Sequence, residues 1–404
     1  MEGHIGFMLV ATSLVMLMTP GLAFFYGGLA GRRNILGIMI QTFVSLGVTT
    51  ILWYAMGFSL CFSGGEGGII GNLDQAFLKN MSIAEMYDTS AGIPPLLFFA
   101  YQMMFAIITP ALITGAFVNR ITFKSYLIFL VVWQIFVYYP LVHMLWGGGL
   151  LAEWGVIDFA GGIVVHASAG FAALASVFYV GKRRDSLSPP NSIPLVAIGT
   201  GLLWFGWYGF NAGSELQVDS ITIQAFVNTD IAASFAAITW LIIEWIRMKK
   251  PKFVGLLTGS IAGLATITPA AGFVPLWAAA LIGISAGAIC YLAVHMKNKL
   301  GWDDALDVWG VHGIGGVVGT ILLGVFASTA INPAGADGLV FGGIGFFGKE
   351  TISVLGASAY AFLFTYFMLI IINYITRVKV PEDQEEMGLD AALHGEKAYD
   401  EGSL

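Results

Sequence analysis

The chain has 404 residues, 57% of them hydrophobic and 11% charged, with a formal net charge of −7 and a mean hydropathy of +0.81. Soluble globular proteins carry about 25% charged residues, so the composition excludes an ordinary soluble domain, and with no basic patch no nucleic-acid partner is expected. Cys61 and Cys290 both fall in apolar stretches and suggest neither a disulfide framework nor a metal site, so no metal or other cofactor is expected.

About 20 apolar residues cross a bilayer as a helix. Eleven such stretches are predicted in chain order, at 5–29, 38–61, 94–118, 126–146, 162–180, 193–211, 225–246, 254–271, 275–295, 308–326 and 352–375. The first has no basic n-region and runs into "TPGLAFFYGGLAGRRN" instead of a small-residue cleavage site, so it is expected to remain as a span. The eighth is short and nearly joined to the ninth through "TPAAGFVP".

Cytoplasmic loops are enriched in Lys and Arg. Threading the eleven spans puts 16 of the 18 basic residues on one side and leaves Lys79 and Lys349 on the other. This predicts an outside N-terminus, an inside C-terminus and a multi-pass protein. From Pro381 onward the acids Glu382, Asp383, Glu385, Glu386, Asp390, Glu396, Asp400 and Glu401 face a single base, Lys397. The expected division is a membrane domain at 1–380 and a cytoplasmic tail at 381–404. The tail reads equally as a solvated end and as a segment docked on the membrane domain or a soluble partner.

Two spans carry a histidine among glycines, His166 in "GGIVVHASAG" and His312 in "DVWGVHGIGGVVGT". An ionisable residue inside a span is rare and by default functional. These spans are the fifth and the tenth, the same place in two units of five, and an odd unit turns its copy upside down, which is the inverted-repeat plan. "GLAFFYGG" in the first span echoes "GWYGFNAG" in the sixth, and each histidine has an acid upstream, Asp158 and Asp307, read as structural support. Glycine lets helices approach closely, which would bring the imidazoles side by side. The competing reading is a pair of core histidines bonded to backbone.

A bare ion is costly in an apolar conduit, and potassium or sodium would need rings of carbonyls or acids. A protonated amine can instead release its proton on desolvation, and histidine can accept or relay it. Aromatic faces attract a small cation by roughly 0.5–2 kcal/mol each. Candidates are Phe105 in "AYQMMFAIITP", Trp146 in "LVHMLWGGG", and Phe210 with Ser214 in "WFGWYGFNAGS", each also explicable as packing or interfacial belt. Asp230 in "FVNTDIAAS" is expected to be a helix-end residue reaching polar groups.

Taken together, "TPGLAFFYGG", "HMLWGGG", "DFAGGIVVHASAG", "GWYGFNAGS", "DDALDVWGVHGIGG" and "GLDAALHGEKAY" resemble the ammonium transporter family (Amt/Mep/Rh), of prokaryotic Amt type, over residues 19–399. The resemblance implies an all-α integral membrane protomer of two inverted five-helix units plus a final helix, assembled as a homotrimer in the plasma membrane with one pore per subunit. It implies an outer ammonium site at Trp146, Phe105 and Ser214, a stacked Phe105–Phe210 pair closing its floor, and a hydrogen-bonded His166–His312 pair relaying protons in the pore. Asp158 matches an acid that supports the site from outside the conduit. Tyr101 stands where a phenylalanine is often found near the outer site. The tail matches a segment that contacts neighbouring subunits and meets a PII-type signalling protein. The implied activity is transport of ammonium, not catalysis. Alternatives are an electroneutral ammonia channel and an ammonium sensor acting through a PII-type partner. A carrier of larger amines is disfavoured, since no acid pair in the spans suits a bulky substrate.

Overall fold

In the structure, a computed structural model that describes residues 2–81, 92–184 and 188–399, ten helices are long and apolar enough to cross a membrane. They are α1 (Glu2–Leu29), α2 (Ile35–Phe62), α3 (Pro95–Ile113), α4 (Phe123–Trp154), α5 (Gly162–Val180), α6 (Ile193–Glu215), α7 (Ser220–Met248), α9 (Leu276–Leu300), α10 (Trp309–Phe326) and α11 (Ile344–Ile375). Between α7 and α9 lies the shorter apolar α8 (Phe253–Ile267), whose 15 residues give about 22 Å of helix against about 30 Å of hydrocarbon. Two short helices follow α11, α12 (Glu382–Met387) and α13 (Leu389–His394). Among the described residues extended pairing is limited to one isolated bridge between Ile121 and Lys379. Asp400 and Glu401 lie outside the described residues.

Helix is what a chain this apolar adopts in lipid, where every backbone N–H and C=O must find a partner within its own segment. Small residues set which helices meet. Gly199, Gly206 and Gly209 of α6 lie against Phe25, Met18 and Ala11 of α1, while Gly259 and Gly263 of α8 and Gly283 and Gly287 of α9 lie against the alanine-rich face of α7. The helices α5 and α10 also approach closely. A Cβ on Gly170 would overlap the backbone of Gly313, and one on Gly316 would sit 2.6 Å from the Ala167 nitrogen and 3.0 Å from the His166 Cβ. First helix therefore meets sixth, and fifth meets tenth.

Both histidine helices open with a turn of π-helix, Gly162–Ala167 in α5 and Trp309–Gly313 in α10. Such turns are rare and concentrate at functional sites. The acid that supports each turn is at the same offset, eight residues ahead of the histidine. Asp158 accepts the N–H groups of Gly161, Gly162, Ile163 and Val164 at 2.6–3.1 Å. Asp304 accepts those of Val308 and Trp309 at 3.1 and 2.8 Å. Asp307 was the acid expected here, and the structure corrects that expectation: its carboxylate faces away from the turn to pair with Lys297 Nζ at 2.7 Å.

Arg33, Arg120, Arg183 and Arg184 gather at one end of the bundle, with the C-terminal tail. Arg183 grips Asp303 through its guanidinium fork at 2.7–3.1 Å, with Arg120 3.6 Å from the same carboxylate. Burial works against a charged Asp303, but these guanidinium groups outweigh it and hold its carboxyl below the usual carboxylate range. Burial lowers Arg120 to about 10, leaving it charged at neutral pH. Asp390 of α13 accepts the Ile35 and Gly37 N–H groups at 3.0 and 2.7 Å, and Asn34 accepts the Leu389 N–H at 2.9 Å, so α2 and the tail cap one another. Arg184 also pairs with Glu382 and Glu386, but these partners are exposed and such pairs contribute about 0–1 kcal/mol. The caps and the buried Val378, Val380 and Leu389 hold the tail down, and the solvated reading does not describe residues 378–394.

Two outcomes are expected. Asp390→Ala removes two donor partnerships worth about 1–2 kcal/mol together and should speed hydrogen exchange at 389–394 and at Ile35 and Gly37; exchange unchanged from wild type would mean other contacts dock the tail. Gly170→Ala should destabilise the protein by about 1–3 kcal/mol in thermal unfolding, because backbone meets the new methyl; wild-type stability would show that α5 and α10 can separate freely.

Candidate functional site

Five aromatic rings form one continuous file from Trp146 of α4 to the start of α10. Trp146, partly exposed, meets the buried Phe105 of α3 edge-on, with centroids 5.8 Å apart at 89°. Phe105 stacks on Phe210 of α6 at 4.1 Å and 25°, close to the thickness of two rings, which leaves no gap between them. Phe210 lies 6.1 Å from the His166 ring, and His166 lies 5.3 Å from His312 at 23°. The two Nδ1 atoms are 3.3 Å apart. Both imidazoles are buried, at 1% and 4% exposure, and they face a narrow cavity of about 10 Å³ whose other walls include Leu22, Ile108, Leu112 and Val165.

Tyr101 and Ser214 sit beside this file. The Tyr101 ring is 5.1 Å from Phe105, and its fully buried hydroxyl donates to the carbonyls of Gly209 and Phe210 at 2.9 Å. Ser214 Oγ donates to Phe210 O at 2.9 Å, lies 3.3 Å from the Tyr101 hydroxyl, and is partly exposed. The Tyr101 hydroxyl is thus spent on backbone below the surface, and of the two hydroxyls it is Ser214 that is partly exposed. Trp146 Nε1 donates to the backbone oxygen of Asp158 at 2.8 Å, so one loop residue holds the indole by its carbonyl and the histidine helix by its carboxylate.

Two residues that sequence reasoning missed complete the pair. Trp207 stacks on His166 at 5.4 Å and 24°, and its Nε1 donates to Thr268 Oγ1 at 2.9 Å. Thr268 spends its single proton on Leu264 O at 2.8 Å. His166 Nε2, 3.3 Å from the same Oγ1, is left as a donor to it. By this count of donors His166 is protonated on Nε2 and bare on Nδ1. His312 then donates from Nδ1, which leaves its Nε2 bare. A signal for Thr268 was present, since "ITPA" occurs at 108–111 and again at 267–270, in the third span of each half.

Asp230 is placed outside the file. It lies within α7, away from its ends, where Oδ1 accepts from Tyr208 Oη at 2.6 Å and Trp204 Nε1 at 3.2 Å on the neighbouring α6. The expectation of polar partners fits this position, and that of a helix end does not.

Residues 6–399 match the Ammonium Transporter Family. The ammonium transporter of Bacillus subtilis is 43% identical over 98% of both chains, and the ammonium transporter Amt1 of Archaeoglobus fulgidus is 42% identical over 98% of this chain and 99% of its own. Among solved structures, Mep2 of Saccharomyces cerevisiae superposes with a TM-score of 0.91 at 34% identity, covering 100% of this chain and 92% of that one. A match this complete, on a multi-pass helical fold, shows that the chain belongs to the Ammonium Transporter Family.

Proposed function

We propose that this protein carries ammonium inward across the plasma membrane by separating it into ammonia and a proton and conducting both. The observation that carries this reading is the unbroken file from Trp146 to His312, ending in an Nδ1–Nδ1 contact of 3.3 Å inside an apolar cavity. The cation is drawn to the faces of Trp146 and Phe105 and donates to Ser214 Oγ, each aromatic face contributing about 0.5–2 kcal/mol. Desolvation past the outer ring favours the neutral amine. Rotation of the Phe105–Phe210 stack admits ammonia, which donates to the bare Nε2 of His312, while the linked imidazoles pass the proton. One ammonium ion enters as one ammonia and one proton, so one positive charge crosses. Potassium has no proton to release and no hydrogen bond to donate, and it meets only apolar wall.

The remaining features fit the same reading. Counting α8 gives eleven spans, with the N-terminus outside and the basic end and tail in the cytoplasm. The homotrimer, the division into a 1–380 membrane domain and a 381–404 tail, and a PII-type partner at the tail face are proposed with it.

Purified protein in liposomes should answer an ammonium pulse with an inward positive current and a potassium pulse with none. Luminal alkalinisation without current would identify an electroneutral channel and overturn the relay. Replacing His166 and His312 together by alanine should abolish selective, coupled current; wild-type current with no potassium leak would refute their role. Phe210→Ala should disturb gating, and unchanged uptake would reduce that ring to packing. Thr268→Val removes the acceptor of the His166 Nε2 proton, an interaction of about 1 kcal/mol, and should slow the current about fivefold; an unaltered current would dissociate the tautomer from transport.

A further inference from the structure

Glu350 is a buried acid that the mechanism above does not use. It sits near the start of α11 at 0% exposure, where Oε1 accepts the Ile157 N–H at 2.8 Å and Oε2 has no partner among the described protein groups. A glutamate wholly buried in a span is rare and costly to keep. Its single bond goes to the residue next to Asp158, in the loop from Gly155 to Gly161 that ties the aromatic site to the histidine helix.

The other anchors of that loop include the Val156 N–H, which donates to Leu151 O at 2.9 Å, the Phe159 N–H, which donates to Pro269 O at 3.1 Å, and the Trp146 indole, which donates to Asp158 O at 2.8 Å. Glu350 adds a side-chain acceptor from a helix outside both five-helix units. If the bond is lost, the partly buried Ile157 N–H is left unpaired and the loop can relax. Asp158 moves with the loop, and with it the carbonyl that holds Trp146 and the carboxylate that holds four N–H groups of α5.

We propose that Glu350 is a positioning residue for ammonium recognition: by accepting the Ile157 N–H it fixes the loop that sets both the Trp146 indole and the opening turn of the His166 helix. The inference rests on the proposed transport activity and adds to it a determinant on α11, remote from the ring file.

The test uses two variants of similar volume in the full-length protein. Glu350→Gln keeps an oxygen acceptor for Ile157, and Glu350→Met fills the space without one. Hydrogen exchange at 157–164 reads the loop without reference to transport, and the ammonium-evoked current reads its consequence. Met should speed exchange at these amides and raise the ammonium concentration for half-maximal current by about tenfold, the cost of one lost bond with a partly buried donor unpaired, with a smaller effect on maximal current. Gln should match wild type in both. Wild-type exchange in Met would overturn the proposal, and so would Gln as impaired as Met, since the acid's charge or proton would then be what the site needs. Faster exchange in Met with unchanged half-saturation would also overturn it, by separating the loop from recognition. A wild-type protein that gives no ammonium current would instead strike at the transport reading, while the exchange result would still decide whether Glu350 holds the loop.

Discussion

The contact between His166 Nδ1 and His312 Nδ1 is the constraint around which this fold is arranged. Two imidazoles from different helices can hydrogen-bond in an apolar interior only if their backbones nearly touch and neither ring is free to turn. Gly170, Gly313 and Gly316 meet the first condition by leaving no side chain where α5 crosses α10. Thr268 and Trp207 meet the second, since the threonine oxygen takes the proton of His166 Nε2 and the indole covers the ring face. The π turns at the head of both helices leave backbone donors in need of acceptors, and Asp158 and Asp304 supply them. Each carboxylate lies at a helix N-terminus, where the dipole favours negative charge.

Much of this was legible in the sequence because it depends on residue type along a line. Spans follow from runs of apolar residues: ten of the eleven predicted stretches overlap helices long and apolar enough to cross a membrane, and the eighth overlaps the shorter α8. The histidines stood out because ionisable groups are rare in such runs, and the glycines around them announced close approach. Phe105, Trp146, Phe210 and Ser214 were found as candidates, and the structure brings all four into one cluster.

What escaped depends on direction and on partners distant in the chain. Asp304 and Asp307 both precede His312, and only geometry shows that one faces the helix end and the other faces Lys297. The offset of eight residues shared with Asp158 carried the answer, but only once the turn it caps was known. Thr268 looks like any threonine at a helix end until its oxygen is seen between Trp207 and His166. The tail's acids implied a solvated end as readily as a docked one. The deciding feature was the exchange of caps between Asn34 and Asp390, over 350 residues apart in sequence.

The two histidine helices match in their caps but diverge in what the equivalent carbonyls hold. Asp158 O accepts from the neutral Trp146 indole, whereas Asp304 O accepts from the Lys297 ammonium at 2.5 Å, itself paired with Asp307. On the proposed reading this difference follows from what passes each end. A fixed ammonium group 4 Å from an arriving cation would repel it by about 4 kcal/mol near a protein surface. That exceeds the roughly 0.5–2 kcal/mol an aromatic face returns, so a lysine in the position of Trp146 would defeat recruitment. At the other end ammonia leaves as a neutral molecule, and a lysine neutralised by its own carboxylate costs the substrate nothing. The repeat could therefore keep its symmetry where it holds the histidines and had to abandon it where a cation first meets the protein.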